Sequence, residues 1–209
     1  VDLSTGTGNA LFGEGAGADL TTGEHNVAMG YQALYRGTTE SDDNVAIGYQ
    51  SMYGNFTTNA VNDCVVIGSG AGAGTLASGA GGLVAVGYQA GAALTSGANN
   101  NFIGYGAGKL QTDGANNVVI GTSAFSTAVS GESDCIAIGV NALGNLNHAD
   151  ADRNIAIGSG AGDGMGTLGA SIDNIFIGKD AGGGTWATAV STYNVGIGNY
   201  SMDAAMNGA

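Results

Sequence analysis

One short phrase recurs along the whole chain: "NVAMGYQA" at 26–33, "NVAIGYQS" at 44–51, "LVAVGYQA" at 83–90, and eight looser copies. Aligned on the Gly after the apolar triplet, the copies fall at Gly13, Gly30, Gly48, Gly68, Gly87, Gly104, Gly121, Gly139, Gly158, Gly178 and Gly198. Successive spacings are 17, 18, 20, 19, 17, 17, 18, 19, 20 and 20 residues, so the register survives from end to end. Such a period restricts the fold more than composition does. A unit this small cannot bury a core alone and must stack on its neighbours.

Each slot of the unit has its own chemistry. Ile precedes the Gly in eight copies, and two residues earlier stands Val or Ile in nine. The residue between them is usually small, as in Ala28, Ala46, Ala85, Ala137 and Ala156. β-Branched residues two apart around a small one predict a short strand with one buried face, taken here as the Val/Ile face. Four before the Gly, Asn occupies eight of eleven copies, including Asn26, Asn44, Asn117, Asn154, Asn174 and Asn194. Stacked amides one coil apart can form a hydrogen-bonded ladder, or each can cap the turn entering its strand. Three after the Gly only Ala or Ser occurs, which predicts close approach of backbones from neighbouring coils or chains. The Gly itself needs positive φ or a close backbone contact.

Length varies only between that small residue and the next Asn slot, in stretches rich in Gly, Ser, Thr, Asp and Asn that read as loops. One conserved strand and one variable loop per unit predict an all-β fold. It is a parallel β-solenoid (β-roll or β-helix) of about eleven 17–20-residue coils, occupying residues 1–209 as a single domain. At ~4.8 Å per coil the rod is roughly 50 Å long. "YQALYRG" (31–37) and "NALGNLNHADADRN" (141–154) also admit short helical turns.

Composition supports thin layered packing: 41 Gly, no Pro and few aromatics. Only Arg36, Lys109, Arg153 and Lys179 are basic, against 17 acids, for a net charge of −13. That balance argues against nucleic acid and anionic membrane as partners. No apolar run approaches the ~18 residues that span a bilayer. The chain opens on Val1, shows no leader and carries no non-repeat cap, which reads as a segment of a longer fibrous protein.

"NVAIGYQS", "NVAMGYQA" and "NIAIGSGA" (154–161) resemble the Asn-x-Ala-Ile-Gly-x-x-Ala/Ser repeats of trimeric bacterial adhesin heads and the longer arrays of phage tail-fibre proteins. The resemblance covers essentially the whole chain. The variable 17–20 spacing sits closer to the phage-fibre type. It implies a homotrimer, intertwined or side by side, located on a virion tail fibre or the cell surface. There it would mediate host attachment through a cell-surface glycan or protein receptor, beside other virion or fibre components. A bacterial surface adhesin is the nearest alternative. Three chains would carry 3 × −13 = −39 formal charges, so stability should depend on salt or divalent ions.

The residues with chemistry of their own do not assemble an enzyme. Cys64 and Cys135 share the Asn slot four coils apart, roughly 19 Å, beyond the ~7 Å limit for a disulfide; they read as buried free thiols. His25 and His148 lie in distant loops without metal-ligand spacing. The acidic loops at 40–43 and 150–154 could offer oxygens to Ca²⁺ or another cation, but neither fits a calcium-loop pattern. "GSGAGAG" (68–74) and "GYGAGK" (104–109) each miss required positions of the phosphate-loop patterns. The hexapeptide repeat of left-handed β-helix acyltransferases fails at Tyr53, Ala73, Ala92, Lys109, Asp163 and Asp203. An ice-binding Thr array fails because Thr21, Thr38 and Thr95 stand at +8 from the Gly but Thr57 at +9 and Thr75 at +7. No catalytic residue, metal ligand or cofactor is therefore expected. Recognition falls to aromatics and a base in the variable segments: Tyr35, Arg36, Tyr53, Phe56 and Trp186. Tyr31, Tyr49, Tyr88 and Tyr105, at one slot, read as a structural stack.

Overall fold

The computed structural model describes residues 6–36, 40–54, 60–166, 171–184 and 192–204. Each apolar triplet before an aligned Gly is a three-residue strand: β1 (Ala10–Phe12), β2 (Val27–Met29), β3 (Val45–Ile47), β4 (Val65–Ile67), β5 (Val84–Val86), β6 (Asn101–Ile103), β7 (Val118–Ile120), β8 (Ile136–Ile138), β9 (Ile155–Ile157), β10 (Ile175–Ile177) and β11 (Val195–Ile197). All eleven form one sheet in sequence order. Neighbours are parallel and in register, as in Val27↔Val45, Ala28↔Ala46 and Met29↔Ile47. This is a β-solenoid with one strand per coil. Among the described residues the only helical piece is a 3₁₀ turn at Ser78–Ala80; the two segments that admitted helix form turns without helix at 31–36 and 141–145.

The Gly slot requires both properties expected of it. At Gly104 φ is +137°, and a Cβ there would lie 2.6 Å from the Gly121 carbonyl oxygen of the next coil. The aligned glycines therefore form a column of backbone-on-backbone contact that no side chain can enter. The Ala/Ser slot three residues later is buried within the chain from Ala16 through Ser51 to Ala181. It packs coil on coil, so contact between chains cannot be its role.

One expectation is reversed. From β2 to β10 the buried side chain is the central one, and the flanking Val and Ile point outward. Ala28, Ala46, Val66, Phe102, Val119 and Phe176 are fully buried, whereas Ile103, Ile120 and Ile157 are each 37% exposed. The interior of a one-strand coil is too thin for two β-branched rows. It takes one row whose volume is balanced by the residue four after the Gly.

Where the central residue is Phe, that position is Gly, Phe102 with Gly108 and Phe176 with Gly182; Leu11 and Val66 likewise stand with Gly17 and Gly72, whereas Val119 stands with the buried Phe125. A Cβ at Gly108 would sit 2.6 Å from the Phe102 ring. Where the central residue is Ala, the position is often a long side chain: Ala28 with Leu34, Ala46 with Met52, Ala137 with Leu143. These long residues hold left-handed backbone, with φ of 48° at Leu34, 51° at Met52 and 49° at Leu143. That conformation costs about 1–2 kcal/mol per residue, offset by the ~1.5–3 kcal/mol from burying the side chain.

The Asn slot serves as ladder and cap together. Asn174 donates its backbone N–H and its Nδ2 to Asn154 Oδ1 at 3.1 and 3.0 Å, and Asn117 does the same to Asn100. Each amide also ties a loop: Asn44 Nδ2 donates to the Val61 carbonyl, Asn154 Nδ2 to that of Ser171, and Asn26 Nδ2 to that of Ser41, each at 2.7 Å. Asn194 continues the ladder, donating Nδ2 to Asn174 Oδ1 at 2.9 Å. Cys64 and Cys135 are free and buried. They keep half the function: their N–H groups take the preceding Asn oxygens, and Cys135 Sγ donates to the Ala151 carbonyl at 3.4 Å where an amide would reach.

Candidate functional site

The outward sheet face is an apolar band built by the first and third residues of every strand. Across eleven strands these are Val, Ile, Ala, Phe or Met, with Asn101 the single polar member. Ten spacings of ~4.8 Å make the band roughly 48 Å long, and its two rows lie ~7 Å apart. In four coils the residue after the Gly is a Tyr that widens it. Tyr31 stacks on Tyr49 with ring centroids 5.4 Å apart, and Tyr88 on Tyr105 at 5.0 Å. These rings are exposed, up to 59% at Tyr105, so the expected stack exists but lies on the surface. Behind the Tyr row Gln50 Nε2 donates to Gln32 Oε1 at 3.0 Å. Monomeric proteins seldom leave apolar patches larger than a few hundred Å² uncovered.

Of the residues expected to take part in recognition, Tyr35 and Tyr53 are brought together, stacked at 5.5 Å and half-buried, with Arg36 exposed beside them. Phe56 and Trp186 lie outside the described residues. The acidic loops cap neighbouring turns. Asp42 Oδ1 accepts the Glu24 N–H at 2.7 Å, and Asp152 Oδ1 that of Ser133 at 2.8 Å. Arg153 makes a bidentate pair with Asp173 of the next coil at 2.7 and 3.0 Å, which lowers the Asp173 pKa. His25 Nδ1 lies 3.6 Å from Asp43. Among the described residues no three His, Cys, Asp or Glu side chains are placed to hold a metal, and no helix is long and apolar enough to cross a membrane.

Two groups of perturbed chemistry lie inside. Burial pushes the Cys64 thiol up to about 11 and Cys135 to about 12, far from a reactive thiolate. Glu132 and Gln111 sit buried in adjacent loops, where sequence reasoning assigned them no part. With its amide oriented to accept the Gly114 N–H at 2.9 Å, Gln111 donates to Glu132 Oε2 at 3.3 Å. Glu132 Oε1 has no hydrogen-bond partner among the described residues. Desolvation raises this carboxyl to about 7, and backbone N–H groups only partly counter it. The signal was available: Gln111 fills the slot seven after the Gly that holds Leu20, Leu94 and Leu146 in other coils.

No family model matches the chain, and neither the curated proteins nor the solved structures contain a match to it.

Proposed function

We propose that this chain is a structural and receptor-binding segment of a fibrous homotrimeric surface protein, a phage tail fibre that mediates host attachment. The observation that carries the reading is the outward band. Twenty-one of its twenty-two positions are apolar, in a chain whose net charge is −13. None of these strand positions is acidic, so copies can bring them together without opposing carboxylates, as the charge-poor centre of an interface requires. Burying it supplies the association energy, and the coil-by-coil register lets parallel copies align along their whole length. Attachment then falls to what remains outside the band, the loops and the Tyr35–Tyr53 stack with Arg36 beside it. Light scattering at micromolar concentration is expected to give the mass of three chains; a stable monomer overturns the assembly. Retention of the purified chain on host cells, lost for Tyr35→Ala with Tyr53→Ala at unchanged mass, tests the attachment.

A further inference from the structure

A cleft of about 490 Å³ is formed by the loops of four successive coils, between Thr127, Asn145 and Asn147 on one side and Asp163, Gly166 and Gly183 on the other. We infer that this cleft binds a saccharide that carries no acidic group. The inference rests on the attachment reading and adds to the Tyr35–Tyr53 stack a second contact with a stated ligand class. The size falls within the range of small-molecule sites.

The chemistry of the wall selects the ligand. Thr127 Oγ1 already donates to the Gly144 carbonyl at 2.7 Å, so the hydroxyl is left to serve as an acceptor. Asn145 Nδ2 donates to the Asp163 carbonyl at 3.1 Å, which leaves Asn145 Oδ1 as an acceptor. The half-buried Asp163 carboxylate adds two more acceptor oxygens, and the Asn147 amide offers both a donor and an acceptor. Among the described residues that line the cleft none is Lys, Arg or His. A surface rich in acceptors and free of cations complements a ligand rich in hydroxyl or amine donors and repels carboxylate, sulfate and phosphate. Burial and the neighbouring Asp180 raise the Asp163 pKa, as expected for a carboxylate already partly withdrawn from water. A calcium ion is the poorer fit: Asp163 is the one carboxylate among the described lining residues, and no three acidic side chains among the described residues are grouped to hold a metal. Glycines line part of it, and a Cβ at Gly166 would meet nothing within 4 Å among the described residues, which makes this the position for a side chain bulky enough to obstruct the cleft.

The test is an array of neutral hexose and N-acetylhexosamine oligosaccharides printed beside sialylated and sulfated ones, probed with the whole chain and with Gly166→Trp and Asn147→Ala. Neutral members should be retained. Their binding should fall at least about tenfold in Gly166→Trp and about threefold or more in Asn147→Ala, with mass and circular dichroism unchanged. Retention of acidic members alone, calcium binding without any sugar, or equal binding by Gly166→Trp overturns the proposal. If Gly166→Trp still attaches to a bacterial panel as the unaltered chain does, the cleft is wrong and attachment stands. If the unaltered chain binds neither cells nor sugars, both readings fall.

Discussion

The two faces of the sheet obey opposite rules. Inward, the central residue ranges from Ala46 to Phe102, and in several coils it is matched by the residue four after the Gly, Ala46 by Met52 and Phe102 by Gly108. Outward, the flanking residues scarcely change from β2 to β11. A core is fitted locally, so volume lost at one position can be restored at another within the same coil. A face that stays uniform over eleven strands answers to something that is itself the same at every coil. The variable side is the private interior; the monotonous side meets the outside.

The largest effect is expected where the two faces share a backbone. Gly104→Ala drives a Cβ against the Gly121 carbonyl at a φ of +137° and should lower stability by above about 4 kcal/mol, seen as a collapse of the unfolding midpoint. Inside, Phe102→Ala should cost about 3–4 kcal/mol. Adding Gly108→Leu recreates the pairing of Ala28 with Leu34 and should recover more than half of that loss in a denaturant titration. A double variant no more stable than Phe102→Ala alone would refute local volume exchange.

Glu132→Gln probes the interior differently. The folded carboxyl titrates near 7, against 4.5 for its ordinary value, so the folded state holds the proton more tightly than the unfolded chain. Stability is therefore full below about 4.5, falls as pH rises through about 7, and is flat above that, a loss of up to about 3 kcal/mol. The variant should remove this slope between pH 5 and 8 while matching the parent at pH 4.5. Outward changes should affect a single chain least. Ile67→Thr with Ile138→Thr, both half-exposed, should cost a monomer about 1 kcal/mol or less. If the band joins copies, the parent's melting temperature rises with protein concentration, and the same pair weakens that dependence and shifts the mass toward one chain.

The positions of all eleven strands, their order and the tight Ala/Ser slot were legible from spacing alone, because the repeat supplies the same answer eleven times. Which face of a strand points inward was not. In a three-residue segment such as Val45–Ile47 apolar groups stand on both sides, and alternation cannot rank them. The exchange of Phe102 with Gly108 against Ala28 with Leu34 within the same chain carries that information, since only residues sharing an interior need trade volume. The Glu132–Gln111 pair and the cleft around Asp163 stayed hidden for another reason. They arise between loops of unequal length, where the repeat fixes no register.

The glycine column also has a mechanical meaning. Coils that touch through bare backbone cannot be pressed closer, and each is bound only to the coil before and the coil after it. Pulled from its two ends, such a rod has no shared core to rupture at once. It would release one coil at a time from an end, each release of 17–20 residues lengthening the tether by ~60 Å. A force–extension trace should then be a ladder of evenly spaced steps, and the molecule would act less as a rigid strut than as a shock absorber with a countable number of stops.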